Sequence, residues 1–373
     1  MSKARQDYIS PIQSGVLVSS SIIGSVVVAL PSLATQAAEH SGVLSVFLAG
    51  LICIGLTIVA SYLGRRFYNQ TIIEYSVTIV GKILGKLLGI LIIIYSIIST
   101  GTALRIFADT LKVFMLPKTP VELIIITMLI VVIYLIYKGI GAIAKISEAF
   151  LPLVVIVLLL VIALNFQDFR IRNLRPLISN GLITTLIEAF QGIPKIITAY
   201  LGFEIVFFVI PFMQDPDKIT PYVAGGVLLP TVIYTALTAM CIGVFGVQLT
   251  KKMLYPTISL ARAIEFPGAF AERFDILFSI LWILGVFTSI SVLFYIASLS
   301  VTRIVRLRNF RPFIFILTPF VYLVAILPQN IYQIFFLTEL IGYVGIFVTF
   351  SPVLLLLISK ITGKGEKRHA KSN

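Results

Sequence analysis

Long apolar runs alternate with short polar connections along the whole chain. Ten of these runs are long enough to cross a hydrocarbon core of about 30 Å, and charged or turn-forming residues flank each one. They lie at about 12–37, 42–63, 86–111, 120–138, 143–164, 182–213, 220–248, 275–301, 312–328 and 337–359. The pattern predicts an all-α membrane protein with ten transmembrane helices.

Two of these runs carry helix-breaking residues in their interior. The first contains Ile23-Gly24-Ser25 before Pro31, and the sixth contains Pro194 and then Leu201-Gly202-Phe203-Glu204. A break frees backbone groups that lipid cannot satisfy, so it persists where it lines a protein cavity or holds a ligand. The breaks fall at corresponding places in two halves of five runs each. We therefore expect a five-plus-five inverted repeat with broken first and sixth helices.

The polar connections are too short to form a second folded unit. The longest, at about 251–274, has helical apolar spacing between its breakers, which predicts a short helix that serves either as a lid or as packing. We expect one integral membrane domain over 1–373. It comprises repeat one at about 12–164, repeat two at about 182–359 and a basic cytoplasmic tail at 360–373.

Composition and charge support this assignment. Hydrophobic residues make up 58% of the chain and charged residues only 12%, about half the charged fraction of a soluble domain. With the N-terminus inside, 18 of the 29 Lys and Arg residues fall on the cytoplasmic side and nine on the other. The net charge of +13 therefore indicates topology, with both termini cytoplasmic, rather than nucleic-acid binding.

Signatures of soluble enzymes are absent from the sequence. It has no phosphate-binding glycine loop, no HExxH motif and no paired CxxC, and its two histidines lie in a loop and in the tail. Cys53 and Cys241 lie inside apolar runs without neighbouring metal ligands, so we interpret both as buried thiols. We predict no enzymatic activity, no cofactor and no metal site.

Polar side chains inside the runs are the candidates for function, because each is costly in lipid unless it serves a partner or ligand. Glu204 is either a structural brace or a direct contact for a ligand or ion. Arg105 and Asp109 are four residues apart and can neutralise each other on one helix face. Tyr95 and Ser99 share such a face too, either as a pocket wall or in helix packing.

Other polar and small residues allow two interpretations each. Thr288, Ser289 and Ser291 could bind sodium together with backbone oxygens of the first run, or pack helices. Lys145 is a cationic substitute for that ion or an anchor at the cytoplasmic end of the fifth run. The glycines of Gly81-Lys82-Ile83-Leu84-Gly85-Lys86-Leu87-Leu88-Gly89 recur every fourth residue, which favours close helix approach or a flexible entry into the third run.

Several segments together resemble the B subunits of spore nutrient germinant receptors, a permease-like branch of the amino acid/polyamine/organocation superfamily. The resemblance spans nearly the whole chain, and its order and spacing are more specific than any one segment. The segments are Ile23-Gly24-Ser25 with Leu30-Pro31, Asn173-Leu174-Arg175-Pro176, Leu201-Gly202-Phe203-Glu204, Tyr255-Pro256-Thr257-Ile258-Ser259-Leu260, and Glu272-Arg273-Phe274 leading to Trp282-Ile283.

The resemblance implies a receptor that holds a small nutrient, typically an amino acid, between unwound first and sixth helices. Such a subunit acts in the spore inner membrane with an A subunit and a lipoprotein C subunit, and it triggers germination without an implied transport step. One rival is a proton- or sodium-coupled amino-acid permease, which predicts uptake by the chain alone. Another is a structural or ion-conducting subunit with a vestigial pocket.

The same resemblance locates the ligand. We expect its carboxylate near amides around Gly24 and Ser25 and its ammonium group near carbonyls of Leu201 and Gly202. Val26 stands where such first helices often have a second glycine, so it would shrink the pocket or select a different nutrient. The predicted ligand-binding residues are Gly24, Ser25, Tyr95, Ser99, Leu201, Gly202, Phe203, Glu204 and Ser289.

Overall fold

The computed structural model describes residues 8–174, 181–264 and 274–365. In these ranges the chain is helical, and its β-type pairing is limited to an isolated bridge between Ile9 and Met213. The residues of the expected basic tail beyond 365 lie outside the described part, as do Arg175, Pro176, Glu272 and Arg273 of the family-like segments.

The first half of the chain folds into seven α-helices, counted over the described residues. Ser10 begins the first of them: its side chain accepts a hydrogen bond from the Gln13 amide, and the Gln13 side chain accepts one from the Ser10 amide in return. The helices are α1 (Pro11–Val26), α2 (Leu30–Ala38), α3 (Gly42–Arg66), α4 (Ile72–Val80), α5 (Lys82–Phe114), α6 (Val121–Tyr137) and α7 (Ile140–Leu164).

The second half of the chain has a more irregular first span. Its described helices are α8 (Leu182–Ile196), α9 (Val206–Val209), α10 (Ile219–Phe245), α11 (Val247–Lys252), α12 (Pro256–Arg262), α13 (Phe274–Ile304), α14 (Arg311–Ile326) and α15 (Ile331–Ile361). α12 is the short helix predicted within the longest polar connection.

A multi-pass helical membrane fold is confirmed. Six described helices are long and apolar enough to cross a membrane, or seven if the bent pair Ile183–Tyr200 and Phe203–Phe212 is one span. Two shorter apolar helices, Val121–Tyr137 and Arg311–Ile326, lie at predicted spans. The count of ten spans and the inverted repeat remain predictions.

The first helix breaks later in the sequence than expected. α1 continues through Gly24 and Ser25 to Val26, and the turn occupies 27–29. Pro31 explains the position: it has no backbone N–H, so it cannot donate to the carbonyl four residues earlier, which is that of Val27. The proline, rather than Gly24, therefore sets the break.

The second break lies at Leu201 and Gly202, as predicted. α8 passes through Pro194 and continues as a 3₁₀ helix over Ile197–Tyr200. Gly202 then has φ +126°, which L side chains rarely adopt, and a Cβ there would lie 2.6 Å from the Ser21 carbonyl oxygen. The chain bends by 58° at this point. Glycine is thus required for both the turn and the close contact with α1.

α1 lies at the centre of the fold, packed against α7, α10 and α13. Small residues permit this packing: a Cβ on Gly226 of α10 would lie 2.5 Å from the Gly15 carbonyl oxygen. The Ser19 hydroxyl donates to the Gly226 carbonyl at 2.7 Å. Close backbone contact therefore holds the broken first span against α10.

We expect Gly226→Ala to lower the stability of the folded chain by about 1–3 kcal/mol, because the added methyl group overpacks this contact. Gly225→Ala is the matched control, since a Cβ at Gly225 meets no atom within 4 Å. Thermal unfolding of the two purified variants in detergent tests the difference. Equal unfolding temperatures would show that the contact does not limit stability.

Candidate ligand-binding site

A cavity of about 90 Å³ lies beside the two breaks. Residues of α1, α5, α13 and α15 line it, together with residues of the irregular segment after α8. The lining residues are Ser21, Ile22, Val26, Tyr95, Ser99, Thr102, Ala103, Ile106, Thr198, Leu201, Ser289, Leu293, Thr338 and Ile341. The tertiary structure thus brings four of the predicted site residues together: Tyr95, Ser99, Leu201 and Ser289.

One face of α5 supplies the polar wall of this cavity. Tyr95, Ser99, Thr102 and Ile106 follow one another at intervals of three or four residues, so they share a helix face. The buried Ser99 and Thr102 hydroxyl oxygens make no hydrogen bond of acceptable geometry with the described residues, although Ser99 lies beside the Tyr95 hydroxyl. A buried hydroxyl without a partner costs about 1–3 kcal/mol, which a polar ligand can recover.

Glu204 connects the second break to the surrounding helices. Its side chain is only 2% exposed, and its Oε2 accepts the Gly202 backbone N–H. Oε1 accepts the Tyr95 hydroxyl of α5 at 3.2 Å and the Thr349 hydroxyl of α15 at 3.1 Å. The bracing role therefore has defined contacts. Direct ligand contact by Glu204 stays a prediction.

Ser289 of α13 contacts the backbone of the first span. Its hydroxyl lies 2.6 Å from the Ser20 carbonyl and 3.0 Å from the Ser21 carbonyl, and a Cβ on Gly24 would collide with it. The nearby Thr288 and Ser291 hydroxyls donate within α13 itself. Ser289 therefore packs α13 against the first span, whereas Thr288 and Ser291 bond within their own helix. A sodium site among them stays a prediction.

Two further donors to the first span were not identified from the sequence. The Tyr234 hydroxyl donates to the Ile22 carbonyl at 2.7 Å, and the Trp282 indole N–H donates to the Gly24 carbonyl at 2.8 Å. A buried tryptophan or tyrosine needs a hydrogen-bond partner, so the position of Trp282 and Tyr234 inside apolar runs indicates that each donates to another buried group. Sequence could not indicate which carbonyl each one meets.

Thr257 of α12 occupies the first break itself. Its hydroxyl donates to the Val27 carbonyl at 2.8 Å, the carbonyl that Pro31 leaves without a helical partner, and its backbone N–H donates to the Val28 carbonyl at 3.4 Å. Asn165, directly after α7, holds α12 in place by donating to the Leu260 carbonyl at 3.1 Å. The short connecting helix is therefore part of the broken span.

The remaining predicted residues take different places. Gly24 faces α13, and the backbone of Ser25 lies within α1. Phe203 is fully buried, and its ring centroid lies 6.1 Å from that of Phe207. Gly202 accepts a hydrogen bond from Ser21 through its carbonyl at 2.8 Å. Gly24, Gly202 and Phe203 do not line the cavity, and ligand contact by these four residues stays a prediction.

Other sequence interpretations can be placed. Arg105 pairs with Asp109 at 2.9 Å, and Cys53 and Cys241 are free and buried, as predicted. Lys145 is exposed, which favours its interpretation as an anchor.

A second, larger cavity of about 290 Å³ adjoins the first. The two share Thr198 and Thr338, and the larger one lies between α2, α8 and α15. Polar and charged side chains line it, among them Gln36, Lys195 and Glu339. It forms a polar vestibule on the side of the molecule that carries α11 and α12.

The family described as "Spore germination protein" matches residues 8–334 of the chain. The chain belongs to this family. It is 29% identical to Spore germination protein YndE of Bacillus subtilis (strain 168) over 361 residues, covering 96% of this chain and 98% of YndE. Spore germination protein B2 of the same organism is 29% identical, with 95% of each chain covered. The resemblance predicted from the sequence is confirmed.

Two solved structures share the fold of this spore germination protein. MhsT in complex with L-phenylalanine matches with a TM-score of 0.71 and 14% identity, covering 96% of this chain and 90% of MhsT. A Na⁺-coupled sialic acid symporter matches with a TM-score of 0.67 and 12% identity, covering 94% and 78% of the two chains. At these identities the likeness concerns the fold alone.

We expect Glu204→Gln to destabilise this spore germination protein by about 1–3 kcal/mol, because an amide cannot accept all three hydrogen bonds that converge on the carboxylate. Thermal unfolding in detergent measures the change. The exposed Glu122→Gln, which removes a carboxylate from the first turn of α6, is the control. An unchanged unfolding temperature in the Glu204 variant alone would contradict the bracing role.

Thr257→Val removes the hydroxyl that satisfies the Val27 carbonyl and keeps the shape of the side chain. We expect the stability of the folded chain to fall by about 1–3 kcal/mol and amide exchange in α12 to become faster, because a buried carbonyl then lacks its partner. Thr257→Ser, which keeps the hydroxyl, should exchange more slowly than Thr257→Val. Hydrogen–deuterium exchange followed by mass spectrometry gives the comparison, and identical exchange in both variants would rule out the hydroxyl as the essential group.

Proposed function

We propose that this chain is the membrane subunit through which a dormant spore detects a small nutrient, an amino acid above all, and starts germination. The observation that carries the proposal is the cavity beside the two helix breaks, where the Thr102 hydroxyl has no hydrogen-bond partner among the described residues and the Ser99 hydroxyl has only the neighbouring Tyr95 hydroxyl beside it. Membership of the spore germination family supplies the biological setting. The fold shared with MhsT, whose structure contains L-phenylalanine, supports an amino acid as ligand.

The size of the cavity favours a small ligand. Its volume of about 90 Å³ is a few times that of one water molecule, about 30 Å³, and well below the roughly 300–1,000 Å³ of pockets for drug-sized molecules. Polar groups of the nutrient would meet Ser99 and Thr102, and its apolar part would face Ile22, Leu293 and Ile341. Val26 also lines the space, consistent with a pocket narrowed by this side chain.

We place the carboxylate of an amino acid beside the last turn of α1, which contains Gly24 and Ser25 and ends at the cavity-lining Val26, where the Ser99 and Thr102 hydroxyls can donate to it. Its ammonium group lies toward the carbonyls around Leu201 and Gly202. Tyr95 contributes twice, because it lines the cavity and donates to Glu204. Phe203 and Ser289 hold the two breaks in position around the ligand.

We place the chain in the spore inner membrane with both termini in the cytoplasm, as ten spans in two inverted repeats of five. The excess of Lys and Arg supports this orientation. The polar vestibule then opens to the outside, where a nutrient arrives. The nutrient would reach the inner cavity past Thr198 and Thr338.

Binding would favour one arrangement of the helices around the breaks. Glu204 links the second break to α5 and α15, and Thr257 links the first break to α12, so both have contacts through which a shift can spread. The receiving partners are an A subunit and a lipoprotein C subunit of the receptor. No transport and no catalytic step is required of this chain.

A proton- or sodium-coupled amino-acid permease is the second candidate function. The shared fold with MhsT and with a Na⁺-coupled symporter favours it, because the symporter shows that this fold can host transport. The two functions differ in one measurable property: a permease moves its ligand when it is the only protein in the membrane.

Thr102→Val should raise the nutrient concentration for half-maximal germination roughly two- to twelvefold, the equivalent of one lost hydrogen bond of about 0.5–1.5 kcal/mol. Thr100→Val is the matched control, because Thr100 is buried on the same helix and donates to the Ser96 carbonyl at 2.6 Å. Germination is scored against a panel of amino acids, with the abundance of each variant determined by immunoblotting. An equal response of the Thr102 variant and wild type would remove Thr102 from the site.

Uptake of the active radiolabelled amino acid into proteoliposomes of the unmutated chain completes this experiment. Absence of uptake together with a weakened response in Thr102→Val supports the receptor. Saturable uptake by the chain alone supports the permease. Gly24 is a poorer probe than Thr102, because any side chain there collides with Ser289 and disturbs packing as well as binding.

A further inference from the structure

A third cavity, of about 400 Å³, lies at the other end of the bundle from α11 and α12. It is formed by α4, the first turns of α5 and the C-terminal end of α13. Four of its lining side chains are basic and one is acidic: Lys86, Arg303, Arg306, Arg308 and Glu74. We refer to it as the basic cavity.

Glu74 leaves most of this charge uncompensated. Its Oε2 accepts the backbone N–H and the hydroxyl of Thr71, and its Oε1 lies 3.5 Å from Arg303 Nη1. The carboxylate is thus used in capping α4 and orienting one arginine. The buried Arg303 Nε makes no hydrogen bond to the described part of the chain. Lys86, Arg306 and Arg308 are exposed and make no ion pair with the described residues.

Glycine packing brings these basic residues together. A Cβ on Gly85 would lie 2.5 Å from the Val77 backbone of α4, and one on Gly89 would lie 2.9 Å from Ile304 Cδ1 of α13. Close helix approach, one of the two interpretations of the glycine spacing, is therefore confirmed for Gly85 and Gly89. As a result, α4 and α13 both pack closely against the part of α5 that carries Lys86.

Arg306 occupies a position that favours glycine. It follows the end of α13 with φ +58°, where the Leu307 N–H bonds back to the Thr302 carbonyl at 3.0 Å. A left-handed residue at this point of a helix end is usually glycine, which has no Cβ to strain it. The chain instead has a charged side chain here, and that side chain lines the cavity.

An apolar surface begins next to the basic cavity. Ile83, Leu87, Ile90 and Ile94 form one strip along the lipid-facing side of α5, with exposed fractions of 79%, 56%, 46% and 47%. α5 and α13 are apolar spans that start and end beside the cavity, so the cavity lies at the depth of lipid headgroups. A ligand that fits both parts has an anionic head and a hydrocarbon tail.

We propose that the basic cavity binds the phosphate of an anionic phospholipid, with Lys86, Arg303, Arg306 and Arg308 around the headgroup and the acyl chains along the α5 strip. Basic pockets between transmembrane helices recognise acidic headgroups in this way. A free phosphate ion would use the same four cations, but it would gain nothing from the apolar strip. The strip therefore favours the lipid.

The test is native mass spectrometry of the full chain in detergent, titrated with phosphatidylglycerol and, separately, with phosphatidylcholine. The variant Lys86→Gln/Arg306→Gln/Arg308→Gln removes three cavity charges. The control Lys82→Gln/Lys138→Gln/Lys360→Gln removes three exposed charges that do not line the cavity. We expect phosphatidylglycerol binding to weaken about tenfold or more in the cavity variant and to change less than about twofold in the control. Equal losses in the two variants would overturn the site.

Arg306→Gly separates binding from folding. Glycine accepts the positive φ at this position, so the unfolding temperature should rise, while the loss of one charge should weaken phosphatidylglycerol binding about fivefold. A rise in unfolding temperature with unchanged lipid binding would contradict the proposal, because Arg306 would then have no role at the headgroup.

Inorganic phosphate distinguishes the two sources of the anion. We expect it to leave bound phosphatidylglycerol in place and to have no effect on the unfolding temperature at concentrations where the lipid raises it. If phosphate alone stabilises the chain as strongly as the lipid, or if phosphatidylcholine binds as tightly as phosphatidylglycerol, the assignment to an anionic phospholipid is wrong.

Discussion

The structure depends on one constraint: in lipid, every backbone group freed from a helix must find a partner inside the protein. Both broken spans meet it with side chains from distant parts of the chain. Thr257 satisfies the Val27 carbonyl that Pro31 leaves free, and Glu204 accepts the Gly202 N–H at the second turn. The breaks are therefore stable only in the assembled bundle, where α5, α12 and α15 supply these contacts.

This constraint also explains the composition of the site. Most buried hydroxyls near the breaks donate to carbonyls, as Ser289 and Tyr234 do, and so have packing roles. Ser99 and Thr102 differ, because their oxygens lie at the cavity without a hydrogen-bond partner among the described residues. The contrast separates residues that hold the breaks from residues that are free to hold a ligand. It supports the proposal that residues of α5 contact the ligand between the two breaks.

The two ends of the molecule follow different chemistry. Around the vestibule, uncharged polar side chains and a few charged ones suit a small soluble nutrient. At the basic cavity, glycines draw α4, α5 and α13 together so that several cations share one space beside an apolar strip. Charge so concentrated at the bilayer surface suits a lipid headgroup. The fold thus has a cavity beside the helix breaks, which we propose as the nutrient site, and a separate basic cavity, which we propose as a contact with lipid.

Hydropathy alone determined the membrane-spanning helical fold, because the length needed to cross a bilayer is a local property of each run. Helical spacing likewise placed Tyr95 and Ser99 on one face of α5. The exact first break, the partners of Ser289 and Trp282, and the bracing contacts of Glu204 were decided only by tertiary structure. These contacts join residues far apart in the chain, and which carbonyl a hydroxyl or indole reaches depends on how the helices pack. No local pattern of residues encodes that choice.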